Sequence, residues 1–298
     1  MAKARGRRLA GLRFPVSAPV SPPAGWRPQT RSGQPQGAAR TLGRRTWLAG
    51  TAVSLFWAAR ASAFGQEGAF HPRILLAGGA EWTGVRTTGP ARWAWELVRR
   101  TSAPGRLVTG QVVADDSRLL TEPFVVWAGE RDVPPLAAGE LKNLRRYIEL
   151  GGVILVDDSA PERGDFGRAA RREIARVLPE SPRVPLGAPG VTGSKEHVIY
   201  KSYYLLDGPA GRVEGPPRVE AIVRGRSAQV IFLAHDLLGA LARTPGASWS
   251  LPCMPGGERQ RDLAVRFAVN LAMYVLCSDY KDDQVHAREL MRRRGRRR

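Results

Sequence analysis

Cysteine, histidine and methionine are scarce in this 298-residue chain, at two, four and four residues. Two cysteines, Cys253 and Cys277, are too few for a disulfide framework. His71, His197, His235 and His286 are too scattered for a zinc motif. The chain contains no Gly-x-Gly-x-x-Gly fingerprint and no phosphate-cradling Gly-x-x-x-x-Gly-Lys-Ser/Thr loop. These absences lead us to expect no cofactor and no metal site. Acidic residues are missing from residues 1–63, which hold 11 Arg and Lys. Long apolar runs are missing too, for no stretch reaches the ~20 residues a membrane-spanning helix needs.

The formal net charge is +19, but it sits at the ends. Residues 292–298 add six arginines to the 11 basic residues of the amino-terminal stretch. Of 46 basic residues, 29 then remain against 27 acidic ones. A body this close to neutral argues against a broad phosphate-binding face, and no nucleic-acid partner is expected. The arginines Arg292, Arg293, Arg294, Arg296, Arg297 and Arg298 are instead a candidate contact for an anionic membrane surface or an acidic partner.

Residues 1–43 are rich in Arg, Pro, Gly and Ser and read as a disordered basic extension. Residues 44–63 read as an address. Arg44-Arg45-Thr46-Trp47-Leu48 resembles the twin-arginine translocation motif, and an apolar run of about 14 residues follows. Ala61-Ser62-Ala63 fits a small-x-small cleavage site, with Phe64 as the first mature residue. The resemblance implies a periplasmic or membrane-associated location in a bacterial envelope. An uncleaved anchor is the alternative.

In the body, residues 64–278, short β-branched runs alternate with helical patterns. Strands are expected at residues 73–77, 124–128 and 153–156, and helices at 91–101, 136–150 and 165–178. Asp165 is placed as the N-cap of the last of these. The rhythm predicts an α/β three-layer, flavodoxin-like sandwich, with a mostly parallel sheet and helices on both faces. Residues 218–223 and 229–234 read as a hairpin turning at Arg224-Gly225-Arg226-Ser227. Residues 259–277 form a helix apolar nearly all round, which requires burial and makes Asn270 a buried amide in need of partners. Cys277 is expected to be buried there. Residues 279–298 read as a polar helical tail ending in the arginine cluster.

The stretch from Phe124 to Glu130, the following helix, and Gly151-Gly152-Val153-Ile154-Leu155-Val156-Asp157-Asp158 resemble the bacterial family called domain of unknown function 4159. So does the closing segment from Asn270 through Tyr280-Lys281-Asp282-Asp283-Gln284-Val285-His286 to Arg293. The resemblance implies a fold similar to the class I glutamine amidotransferases. It implies no reaction.

Ligands of open α/β sheets bind at the carboxyl ends of the strands. That rule selects Gly78-Gly79, Gly129-Glu130, Asp157-Asp158 and His235-Asp236. Asp157, Asp158, His235 and Asp236 are the candidates for acid/base chemistry; an oxygen/nitrogen metal set of Asp236 and His235 with Asp157 or Asp158 is the alternative weighed against structural capping, and capping is preferred. Adjacent strand residues face opposite ways, so Asp157 and Asp158 make no dyad by themselves, and backbone capping is the competing role. Gly78, Gly79, Trp82 and Glu130 are candidate ligand contacts. No cysteine occupies a strand-to-helix elbow, which counts against a thiol amidotransferase. Two functions are carried forward: a non-catalytic binding or assembly module of the cell envelope with a protein partner, and a hydrolase of envelope material.

Overall fold

The structure, a computed structural model, describes residues 68–187, 196–225 and 227–295, with side chains through residue 277. The stretch read as a basic extension, the stretch read as an export leader, with Arg44, Arg45, Ala61 and Ala63, and the side chains of the arginine cluster lie outside the described residues.

Seven strands form one sheet: β1 Arg73–Leu76, β2 Gln111–Val113, β3 Phe124–Gly129, β4 Val153–Asp158, β5 Arg183–Pro185, β6 Glu220–Arg224 and β7 Ser227–Leu233. Their spatial order is β2-β1-β3-β4-β7-β6-β5. The first five in that order run parallel, and β6 and β5 add antiparallel strands at one edge. The expected parallel arrangement of the runs near residues 75, 126 and 155 is therefore present, with Val126 beside both Ile74 and Leu155. The parallel part has the flavodoxin-like order 2-1-3-4-5, with β7 as the fifth strand.

Each central strand is apolar on both faces because helices cover both. One face packs under α1 (Gly89–Arg100), α4 (Leu237–Leu241) and α5 (Gly257–Gly295). Its core holds Ile74, Phe124, Val126, Val153 and Leu155 with Trp93, Phe267 and Leu271. The other face packs under α2 (Ala138–Glu149) and α3 (Asp165–Val177), with Val125, Trp127, Ile154 and Val156 meeting Leu144, Phe166 and Ile174. The alternation along β3 and β4 assigns odd and even positions to different layers. Trp93 is fully buried and donates through Nε1 to the Ala268 carbonyl at 2.7 Å, fastening α1 to α5.

Asn270 is buried on α5, as expected, and its partners are backbone groups. Its Oδ1 accepts from the N–H of Tyr203 and of Tyr204, and its Nδ2 donates to the Tyr204 carbonyl. The tyrosine-bearing segment is thus clamped onto the helix. Tyr200 lies in the core and accepts the Val219 N–H at its hydroxyl. The hairpin of β6 and β7 turns where expected.

Two local expectations are corrected, and two short strands were not anticipated. Gly164, in the left-handed conformation with φ 67°, precedes α3, and Asp165 is its first helical residue. Cys277 is exposed, because α5 continues in one piece past the buried stretch to Gly295. Strands β2 and β5, three residues each, had no counterpart in the sequence reading. Among the described residues, no helix is long and apolar enough to cross a membrane.

Candidate functional site

The carboxyl ends of β1, β3, β4 and β7 share one edge of the sheet. In this strand order a ligand crevice is expected at the carboxyl ends of β1 and β3, where the chain direction across the sheet reverses. Arg86 occupies this edge. It lies in the 3₁₀ turn Val85–Thr88, after the glycine-rich loop that follows β1.

One guanidinium ties three other strand ends to that loop. Arg86 Nε and Nη2 donate to the two Asp236 carboxylate oxygens, each at 2.8 Å. Nη2 also reaches the Ser159 carbonyl at 3.0 Å, and Nη1 reaches Glu130 Oε1 at 2.5 Å. A second guanidinium, Arg212, donates to Asp236 Oδ2. Asp236 is fully buried, whereas the Glu130 side chain is 46% exposed. Burial pulls the Arg86 pKa down, but bonding to Asp236 and the charges of Asp236, Glu130 and Asp157 outweigh it, so the pKa ends above its ordinary value. The paired charges are largely removed from water, so their geometry matters more than at an exposed surface.

Asp236 owes its position to strain. It has φ 52°, uncommon for a residue with a side chain. That conformation turns its carboxylate to cap α4, where Oδ1 accepts the Gly239 N–H at 3.0 Å.

Asp157 and Asp158 face opposite layers, as the strand period requires. Asp157 accepts the N–H groups of Leu237 and Leu238 at 2.9 and 2.8 Å, at the start of α4. Asp158 accepts the Ala160 N–H at 3.1 Å and lies against the first turn of α3, where a Cβ on Gly167 would come within 2.5 Å of Oδ2. Both carboxylates therefore cap backbone. Burial, then the Asp236 charge, pushes Asp157 up to about 8; the two N–H donors and Arg86 pull the other way. Burial also raises Asp158 above the usual carboxylate range, against the backbone donors.

His235 does not join this cluster. Its ring lies beneath Gly215, where a Cβ would come within 2.9 Å of Cε1 and Nε2. It bonds the Pro216 backbone, and burial drives it down to about 4, so it is neutral near pH 7. It borders a cavity of about 500 Å³ between residues 207–217 and the start of α5. The proposed oxygen/nitrogen metal set therefore does not assemble, and the described residues contain no group of three or more metal-type side chains.

The remaining candidates diverge. Gly78, at φ 67°, donates its N–H to Glu140 Oε1 at 2.8 Å, while Glu140 Oε2 accepts the Ala137 N–H. It fastens the end of β1 to α2, and its Cβ would collide with Val133 Cγ1 at 2.6 Å. Gly79 faces open space. Trp82 is partly buried against the α1/α5 core, a packing role, with no partner for its indole N–H among the described residues. Arg86 and Arg212 were missed by the sequence reading. The available signal was chemical: three strand ends carry carboxylates, and Arg86 is the sole cation of the loop after β1.

The fold and the edge together define an open, mostly parallel α/β protein whose carboxyl edge is closed by an arginine–carboxylate network. The chain belongs to the family described as domain of unknown function (DUF4159), whose model matches residues 73–276, from β1 through the buried turns of α5. A comparison with curated proteins finds no match.

Proposed function

We propose that this chain is an exported, non-catalytic binding or assembly module of the bacterial cell envelope. The observation that carries the reading is the state of the strand-end carboxylates. Asp157, Asp158 and Asp236 are buried and spend their oxygens on backbone N–H groups or guanidinium groups. A general acid or base must reach its substrate, and these groups hold the fold together instead. Glu130, paired with Arg86 and Arg163 but half-exposed at the same edge, is the carboxylate a partner can reach. The arginines of residues 292–298 supply a second contact, toward an envelope protein or anionic lipid.

The likeness to the glutamine amidotransferase sandwich is part of this proposal as fold alone. Burial pushes the Cys253 thiol up, which is unfavourable for a thiolate nucleophile.

A second reading, a hydrolase of envelope material, draws on Asp157. A carboxyl raised to about 8 is protonated near neutral pH, as a general acid must be. Its complete burial and its two N–H donors count against that role.

The test is in the native host. The module reading expects a mature chain beginning at Phe64 in the envelope fraction, lost on the double substitution Arg44→Lys, Arg45→Lys. It also expects a stable envelope partner whose co-purification fails with Glu130→Arg and survives Asp158→Asn. A turnover of envelope material abolished by Asp157→Asn, with the fold intact by circular dichroism, would replace it with the hydrolase reading.

A further inference from the structure

Four arginines and two tryptophans meet where α1 approaches the loop between α4 and α5. Arg243 stacks on Trp249 at 3.6 Å from the ring centroid, with Arg261 at 4.4 Å and Arg92 at 5.4 Å from the same ring. Arg92 also covers Trp95 at 3.8 Å, and Arg99 lies 5.1 Å from that ring. Cation–π attraction explains how guanidinium groups can crowd here despite their like charge.

The charges are not balanced. Glu96, buried on α1, accepts from Arg92 at one carboxylate oxygen and from Arg100 at the other, and its charge only partly offsets the effect of burial and the neighbouring arginines on Arg243. Arg261 is buried and spends its donors on the carbonyls of Ala240 and Leu251, with the exposed Glu258 at 3.5 Å. Asp262 serves Arg100 and Arg266. Arg243 and Arg99 form no ion pair among the described residues. Arg243 uses Nη1 on the Ala247 carbonyl, its Nε is buried without a partner, and its Nη2 remains available. Burial and the neighbouring Arg92 charge hold its pKa below the ordinary guanidinium value. That cost falls if an anion enters.

We propose that the Arg92–Arg243–Trp249 cluster, flanked by Arg99, is a binding site for a phosphate-type oxyanion, free or carried on a lipid headgroup. Stacking fixes the guanidinium planes of Arg92 and Arg243 on indole rings and leaves Arg243 Nη2, with Arg99 of α1 near the Trp95 ring, for the donor contacts that phosphate and sulfate accept. The site is independent of the strand-end edge and of the arginine tail.

The test is thermal unfolding of the full chain titrated with inorganic phosphate and with sulfate, at ionic strength held constant with chloride. Wild type should show a saturable rise in Tm that chloride does not give. Arg243→Gln should abolish the rise, and Arg146→Gln, on the opposite layer, should keep it. Should Arg243→Gln fail to fold, Arg99→Gln should weaken the response instead. A parallel arm measures sedimentation with phosphatidylglycerol vesicles against phosphatidylcholine vesicles. Response to phosphate alone identifies a free ligand, and Arg243-dependent vesicle binding identifies a headgroup. No Tm rise together with no Arg243-dependent vesicle binding overturns the proposal. So does a rise that Arg243→Gln leaves unchanged.

Discussion

Replacing Arg86 by methionine should be among the most damaging single changes at the sheet edge. Methionine fills similar space with no donor, so the Asp236 carboxylate stays at zero exposure and loses its bidentate partner. Removing one member of a buried ion pair costs ~3–5 kcal/mol, because the remaining charge stays buried. Arg212 still contacts Oδ2 and the Gly239 N–H still contacts Oδ1, which recovers part of that loss. The Ser159 carbonyl also loses a donor, a further ~1 kcal/mol. The expected net destabilisation is about 3 kcal/mol, read as a lowered urea midpoint with unchanged slope. Arg86→Lys should fall between the two proteins, since one ammonium cannot span both Asp236 oxygens and Glu130. Glu130→Gln should cost under ~1 kcal/mol, because that carboxylate is half in water. A loss below ~1 kcal/mol for Arg86→Met would refute the view that this guanidinium neutralises the edge.

Three further outcomes concern His235, Asn270 and two glycines. His235 is neutral and buried in the fold, with a pKa near 4 against 6.5 when free, so its contribution is present above pH 6.5 and lost as pH falls toward 4. The gap corresponds to ~3 kcal/mol, and His235→Gln should flatten the fall of Tm between those limits relative to wild type; an unchanged slope contradicts the assignment. Asn270→Leu strands the N–H groups of Tyr203 and Tyr204 and should cost about 2–4 kcal/mol, with faster amide exchange at those two positions. Gly211→Ala would place a Cβ 2.1 Å from the His235 carbonyl oxygen, so it should shift the chain off β7 and lower Tm, whereas Gly79→Ala, facing open space but at positive φ, should cost only ~1 kcal/mol.

Much of this architecture could be read from pattern because its determinants are local. The runs ILL, FVVWA and VILV within β1, β3 and β4 are continuous and apolar, and burial under two helical layers is the reason. The β6–β7 hairpin was readable from its turn. Strands β2 and β5 were not, since three residues carry no period and their pairing depends on β1 and β6, remote in sequence. Asp165 looked like a cap because Asp usually caps; the left-handed turn at Gly164 took that position instead, and Asp165 pairs with Arg168 at 2.6 Å. At the candidate site, the rule of strand ends brought Glu130, Asp157 and Asp236 near one another. It did not reveal Arg86, whose partners lie 44 and 150 residues away. Nor did it anticipate His235, whose ring direction is fixed by close backbone contact at Gly215.

The two borders of the sheet limit how this domain can be joined to anything else. At one border β5 is only Arg183-Val184-Pro185, and proline has no N–H to offer an incoming chain. At the other, β2 is equally brief and gives way to the 3₁₀ turn Ser117–Thr121. Among the described residues, neither provides the long unpaired ladder on which a foreign strand could zip. Short borders of this kind disfavour strand-by-strand stacking and leave protruding side chains and loops as the surfaces on which contacts with a neighbour can be built.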